Sequence, residues 1–423
     1  MTLEEAINYS YSNNEIFRIN KLNFLIALDN KYEVVAEFMP KVMAQHELYN
    51  KQSGKGPNFT NQTKSNSSLV RLDHVFFSGG SSVAKLQSSK VQSLIAKEEY
   101  YSKEQTVLLE LIKTYLEVLA KTMHYDITNQ TVANHNKILN VVNTRYSLGE
   151  ATVKDLANAQ SAKFSAEAKL AEEFAELKTL KSKFLTSFGI DSENLVMPND
   201  DLGNVLPGTL DLFMDVVLKQ NHDLKIAHYK LRKAKSDKYT VVAALSPRVV
   251  GSVLWQTKTS TKTGGYNQKF NDRGSTVSLN LDVPIFAGGA EYTRIRQADK
   301  VLRSASTSIR YLNKKLHSDT LAIWEKLQAL KVRHAAILEA VKAADLVHRS
   351  EQEEFNIGSG TKNITDVIES QEKLNNLRKQ EIINKISVIL AHYEVKSLLG
   401  ELIGYYMNLS TEYFDPESAV KFN

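Results

Sequence analysis

Residues 145–160, RYSLGEATVKDLANAQ, are answered later in the chain by residues 355–371, FNIGSGTKNITDVIESQ. Each stretch joins two long helix-patterned segments through a glycine-bearing turn. In each, an Asp precedes a Gln by five residues in the helix that follows: Asp155 before Gln160 and Asp366 before Gln371. Both read as the tip of a helical hairpin, with Gly149 and Gly358 as the turn glycines.

Working outward from the tips, other landmarks recur at the same spacing. Gly149 and Gly358 stand 209 residues apart, and Asp155 and Asp366 stand 211 apart. The stretch from Asn13 to Ile16 returns as Asn221 to Leu224, Pro40 as Pro247, Phe77-Ser78-Gly79-Gly80 as Phe286-Ala287-Gly288-Gly289, and Phe188-Gly189 as Leu399-Gly400. Landmarks in the same order at a near-constant offset of half the chain describe a duplicated plan, not a short solenoid repeat. The expected organisation is a first structural repeat over 1–190, a linker over 191–208 containing Pro198 and Pro207, a second repeat over 209–400, and a C-terminal tail over 401–423.

Each repeat reads as helix, strand, polar loop, strand, long helix, tip and return helix. The first helix runs from about Leu3 to Phe38, where Pro40 stops it, and its counterpart runs from Leu210 to Ala244. Period-two alternation places strands at about 41–50, 68–77, 247–257 and 275–284. The last is the clearest: Val277, Leu279, Leu281 and Val283 alternate with Thr276, Ser278, Asn280 and Asp282. Its partner sets Val249, Gly251, Val253 and Trp255 on one side. Between the strands of each pair lies a loop rich in Gly, Ser, Thr and Asn.

The helix after Ser81 runs without Pro or Gly to Gly149, roughly 100 Å at 1.5 Å per residue, which exceeds a globular helix. The return helix, from about Thr152 to Phe188, is rich in Ala, as close helix packing requires. In the second half, Ile309, Leu316, Ile323, Leu330, Ile337 and Ala344 recur every seven residues, the seam of a left-handed coiled coil. The fold class is therefore mainly α with a small antiparallel β portion, built on long coiled-coil hairpins.

Composition narrows the function. The 423 residues contain no Cys, which excludes disulfides, cysteine zinc sites and thiol catalysis. A net charge of +5 is spread in alternating sign along helices, a solvated face and not a nucleic-acid patch. The ten His occur singly, without metal-ligand spacing, and no nucleophile, base and acid arrangement suggests an enzyme or a cofactor site. No run of 18 apolar residues encodes a membrane-spanning helix. The N-terminal stretch is acidic and helical in pattern, unlike a signal peptide.

Four alternating strands whose apolar faces lack a covering helix pose a physical problem. A sheet in lipid must close on itself, and bacterial barrels need at least eight strands. One chain offers four, so lipid-facing strands require an oligomer.

Taken together, the paired tips (Tyr146-Ser147-Leu148-Gly149 and Phe355-Asn356-Ile357-Gly358), the strand ends VFFSGG and VPIFAGG, and the closing SLLGEL resemble the TolC-like outer membrane efflux and type I secretion channel family. The resemblance covers nearly the whole chain. It implies a homotrimer with a twelve-stranded β-barrel in outer membrane lipid and a twelve-helix periplasmic tunnel. It also implies a periplasmic adaptor protein and an inner-membrane ABC or RND-type transporter as partners, and a cleaved leader that this sequence lacks through trimming or a different start.

Within that picture Asp155 and Asp366 have two readings, which their spacing supports equally. Each stands three residues after an N-cap side chain, Thr152 or Asn363, as in a capping box. By threefold symmetry, each also forms a ring at the tunnel entrance, where charge selects cations. Glu369, one turn on, matches a second acidic position of the family constriction, and also reads as a solvated helix-face charge. The family's tip Tyr and Arg are replaced: Phe355 lacks the hydroxyl, and Lys362 follows a two-residue insertion as a point charge without a planar fork. The competing reading is a soluble coiled-coil scaffold, which explains the heptads but not the four matched strands.

Overall fold

The computed structural model describes residues 1–54, 61–198, 208–263, 268–286, 288–357, 363–407, 409–410 and 413–421. In order, its elements are α1 (Leu3–Asn13), α2 (Glu15–Ala36), β1 (Lys41–Ser53), β2 (Asn61–Phe77), α3 (Ser81–Ser147), α4 (Val153–Phe188), α5 (Leu210–Gln220), α6 (His222–Ala243), β3 (Arg248–Thr263), β4 (Gln268–Asp282), α7 (Ala290–Ile357), α8 (Ile364–Leu398) and α9 (Pro416–Lys421). Two helices, two strands, a very long helix and a return helix thus follow one another twice.

Two expectations about boundaries change. The opening helix of each half is split at a single Asn. Asn14 is extended at φ −80° and ψ 125°, and its side chain accepts from the Ile16 N–H and donates to the Ser187 carbonyl. Asn221 breaks α5 from α6 at ψ 124°. A side chain that hydrogen-bonds the nearby backbone competes with the helix, and the apolar periodicity carries no trace of that competition.

The strands are also longer than alternation indicated, reaching to Ser53, from Asn61, to Thr263 and from Gln268. Apart from Phe270, those extensions are polar on both faces, so they read as loop although the ladder continues through them. Lys51 pairs with Thr63, and Thr261 with Lys269.

The chain forms two compact units, each drawing on both halves. The helical unit comprises Met1–Leu22, Glu99–Asp223 and Leu312–Pro416. Its core joins Ile7, Leu108, Ile112, Tyr115, Leu116, Phe184, Phe188 and Leu402. Tyr115, fully buried, donates to the carbonyls of Met1 and Val196 and accepts from the Val196 N–H, which ties the N-terminus and the chain after α4 to α3. In the same unit the expected seam of α7 is buried at Leu316, Ile323, Leu330, Ile337 and Ala344.

The C-terminal tail packs into this core through a buried carboxylate. Glu104 Oε1 accepts from the Tyr11 hydroxyl at 2.8 Å and from the Gly404 N–H at 3.0 Å. A Cβ on Gly404 would lie 3.2 Å from that oxygen, so the close approach favours glycine there. Burial pushes the Glu104 carboxyl up to about 7, against the pull of its two donors. Burial and the neighbouring Glu104 likewise raise the Tyr100 phenol to about 12.

The sheet unit comprises Asn23–Glu98, Leu224–Tyr311 and Glu417–Asn423. Its strands form one antiparallel sheet in the order β1-β2-β3-β4. Each β-strand pair passes into a long helix through two glycines at positive φ: Gly79 and Gly80 at 63° and 85°, and Gly288 and Gly289 at 74° and 81°. Gly79 also needs the space. A Cβ there would collide with Ser246 Cβ and lie 2.8 Å from the Ala243 carbonyl oxygen.

Candidate functional site: hairpin tips and an open sheet

The first tip is built by a C-terminal glycine cap followed by an N-terminal capping box. Gly149 takes φ 79°, its N–H donates to the Tyr146 carbonyl, and the Glu150 N–H donates back to the Arg145 carbonyl. This paired arrangement ends a helix with its last carbonyls satisfied. The next helix starts at Thr152, whose hydroxyl accepts from the Asp155 N–H at 3.2 Å, while Asp155 Oδ2 accepts from the Thr152 N–H at 2.9 Å and its hydroxyl at 2.7 Å. Hydrogen bonds from Thr152, side chain first and then backbone, hold the Asp155 carboxyl below its ordinary value. The capping reading of Asp155 is thus realised in the geometry.

In the second tip Asn363 plays the part of Thr152. Its Oδ1 accepts from the N–H groups of Thr365 and Asp366 at 2.9 and 3.2 Å, and Asp366 Oδ2 accepts from the Asn363 N–H at 3.1 Å. Asp366 is half-buried and Glu369 is exposed. Gly358 and Lys362 lie outside the described residues, as does the inserted stretch between them.

The structure brings the two tips of one chain together. Phe355 is buried with Val142, Ala159, Ile364, Val367 and Ile368. Arg145, a residue without a signal of function in its local sequence, closes the group. Its Nη2 donates to the Phe355 carbonyl at 2.9 Å, and its guanidinium carbon lies 4.3 Å from the centroid of the Phe355 ring. Asn158 Nδ2 adds a bond to Thr365 Oγ1 at 3.2 Å. The Phe355 ring is thus packed beneath a cation, an arrangement open to Phe as well as Tyr. Only the meeting of residues 210 apart reveals the pair, so the sequence held no local signal for it.

Behind the tips, α3 and α8 face each other through polar side chains. Asn134 Nδ2 donates to Gln371 Oε1, Gln371 Nε2 to Asn375 Oδ1, and Asn375 Nδ2 to Thr131 Oγ1 at 2.7 Å. Next along α8, Lys379 Nζ donates to Glu173 Oε1 and to Thr128 Oγ1, both at 2.7 Å. The Glu173 side chain is 3% exposed and that of Lys379 20%, so α3, α4 and α8 meet at a nearly dry ion pair. The repeated Gln of the tips thus diverges, Gln371 being buried in this ladder and Gln160 exposed.

In the sheet unit, register aligns apolar side chains across all four strands. Val42 pairs with Leu72, Leu72 with Val253 and Val253 with Val277. The next row holds Ala44, Val70, Trp255 and Ser275. Phe76 covers Gly251, where a Cβ would stand 2.5 Å from Cε2 of the ring. This face is open: Val42 is 68% exposed, Val277 79% and Leu279 70%. The reverse face carries Lys41, Asp73, Ser252 and Ser278 in one row, and Arg248 pairs with Asp282. One edge of β1 and one edge of β4 have no strand beside them among the described residues.

Among the described residues, no helix is long and apolar enough to cross a membrane, and no group of three His, Asp or Glu side chains is placed to hold a metal.

Residues 29–179 match the family model described as outer membrane efflux protein. The outer membrane efflux protein BepC of Brucella suis is 21% identical over 420 residues, covering 99% of this chain and 90% of the relative. The outer membrane protein TolC of Vibrio cholerae is 20% identical, covering 76% of this chain and 74% of its own. Among solved structures, the Campylobacter jejuni CmeC outer membrane channel superposes with a TM-score of 0.79 at 13% identity, over 99% of this chain and 88% of that one. The outer membrane protein VceC of Vibrio cholerae gives 0.76 at 14% identity, over 94% and 96%. Residues 29–179 thus match the outer membrane efflux protein family, and over most of its length the chain is similar in sequence and fold to outer membrane efflux proteins.

Proposed function

We propose that three copies of this chain close a twelve-stranded barrel in the outer membrane, and that their helices form a periplasmic tunnel through which substrates leave the cell. The observation that carries this reading is the sheet: an exposed apolar band on one face, a mostly polar reverse face, and both outer strands free to pair. In lipid an open edge is untenable, and pairing β4 of one copy with β1 of the next removes all edges at once. A soluble scaffold would gain nothing from so large an exposed apolar surface.

At the tunnel entrance, Asp155 and Asp366 serve as helix caps and, repeated by symmetry, as acidic rings that favour cations. Lys362, four residues before Asp366 in sequence, supplies a positive charge, and Glu369, three residues after it, a further acid. Arg145 and Phe355 clasp the two hairpins of each copy and hold the entrance narrow. A periplasmic adaptor docks at the tips, and an inner-membrane transporter of the ABC or RND type supplies the substrate.

The test is conductance of the purified protein in a planar bilayer, wild type against Asp155→Ala/Asp366→Ala. Cation-selective conductance that loses its selectivity in the double variant supports both channel and acidic entrance. Conductance with unchanged selectivity reduces the aspartates to caps. A folded protein that never inserts refutes the channel.

A further inference from the structure

The charges of the sheet are sorted by face. All four acids, Glu47, Asp73, Asp272 and Asp282, stand on the reverse face with Lys41, Lys51, Arg71, Arg248, Lys258 and Lys262. The face that carries the apolar band has no acid, yet it has three cations, Lys64, Lys269 and Arg273, all exposed. They are confined to the hairpin-loop end of the strands. Trp255 marks the edge of the band, in a row with Ala44, Val70 and Ser275, and beyond that row only Leu48 is apolar on this face. One row beyond is Arg273, with Thr257, Ser68 and His46, and two rows further Lys64 and Lys269 share a row with Asn50 and Thr261.

Along β4 the two rows of cations are four residues apart, roughly 13 Å, and Lys64 and Lys269 are two strands apart, roughly 10 Å. The three side chains bracket a strip just past the apolar band, where headgroups meet a membrane protein. None of the three has an ion pair or side-chain hydrogen bond within the described chain. A cation on a lipid-facing surface without an acid to neutralise it is costly at the bilayer centre but favourable at the interface, where anionic headgroups attract it.

We infer that Arg273, Lys64 and Lys269 form a binding strip for phosphate-bearing lipid headgroups of the leaflet around the hairpin-loop end of the sheet. The inference rests on the membrane reading above and deepens it by naming the lipid chemistry the barrel selects. Arg273 supplies a planar fork suited to a phosphate monoester, and the two lysines supply point charges at the next level of the headgroup. Ser68, Thr257 and Asn50 add neutral donors between them. The opposite charge ordering on the reverse face, cations interleaved with acids, suits water and a passing solute instead.

The experiment uses purified full-length protein in detergent with diphosphoryl lipid A and its dephosphorylated form, retention being read by native mass spectrometry. Flotation with phosphatidylcholine vesicles reads insertion separately. Wild type is expected to retain the phosphorylated lipid at least about tenfold better, and Lys64→Gln/Lys269→Gln/Arg273→Gln to lose that preference while still floating. The reverse-face variant Lys51→Gln/Lys258→Gln/Lys262→Gln is expected to keep it. Equal retention of both lipids by wild type, an equal loss in the reverse-face variant, or complete displacement by inorganic phosphate overturns the inference. Failure of wild type to float at all overturns the membrane reading instead.

Discussion

Replacing Glu104 by Gln should abolish a pH dependence that wild type shows around neutrality. The carboxyl is deeply buried and lies against two donors, Tyr11 and the Gly404 N–H, and burial lifts it from its ordinary 4.5 to about 7. A shift of that size corresponds to roughly 3 kcal/mol, or a factor on the order of 100 in an equilibrium. With the folded value raised, the closed tail binds a proton that the opened tail releases. The stabilisation is complete below about 4.5, declines as pH rises, and is lost beyond about 7. The assay is hydrogen exchange at the Gly404 amide, corrected for the intrinsic pH dependence of exchange. Protection in wild type should fall roughly 100-fold between pH 5 and pH 8. Glu104→Gln keeps an acceptor of the same shape and should give protection that is level across the range. Tyr11 and Tyr100, both raised by burial, do not ionise there. Level protection in wild type, or an undiminished slope in the Gln variant, would refute the argument.

Arg145→Ala removes both the bond to the Phe355 carbonyl and the cation over its ring, so it should loosen the tips by about 1–2 kcal/mol. Single-channel recording should then show more frequent openings, whereas Arg145→Lys should restore only part of the wild-type behaviour. Lys379→Met leaves Glu173 charged and almost dry, and should destabilise the protein by about 3–5 kcal/mol. Adding Glu173→Leu should recover most of that in thermal unfolding. Gly79→Ala places a Cβ at positive φ against Ser246 and the Ala243 carbonyl. Strain of roughly 1–3 kcal/mol should appear as a lower yield of inserted protein, while Gly80→Ala, with no neighbour within 4 Å, suffers the φ penalty alone.

The duplicated plan was legible because it is written in spacing: paired glycines, paired aspartates and a heptad need no partner to be read. Leu316, Ile323 and Leu330 are buried as their seven-residue recurrence required. Hydrophobic alternation located the sheet but not its full height, since the strands continue where Thr and Asn occupy both faces. The break at Asn14 was hidden because one side chain bonding to backbone outweighs a helical pattern on either side. Long-range pairs stayed out of reach for a different reason. Nothing around Lys379 says that Glu173 lies beside it, and nothing around Glu104 says that Gly404 caps it, because such pairings depend on how the hairpins come together.

An unclosed four-stranded sheet also dictates an order of events. β1 and β4 hold 13 and 15 residues, and about half of their backbone groups point outward with no strand among the described residues to meet them. Each such group left bare in hydrocarbon costs several kcal/mol, so a lone copy is barred from the bilayer by its own backbone. In the proposed barrel, docking of copies must precede or accompany insertion, which makes the rate of membrane entry depend steeply on protein concentration. The junction between copies also carries more information than adhesion. A slip of one residue there would turn the apolar side chains of one copy toward the inside while its neighbours kept theirs outside. In the proposed three-copy barrel every chain is thus a template for the next, and the last pairing to form proofreads the two before it.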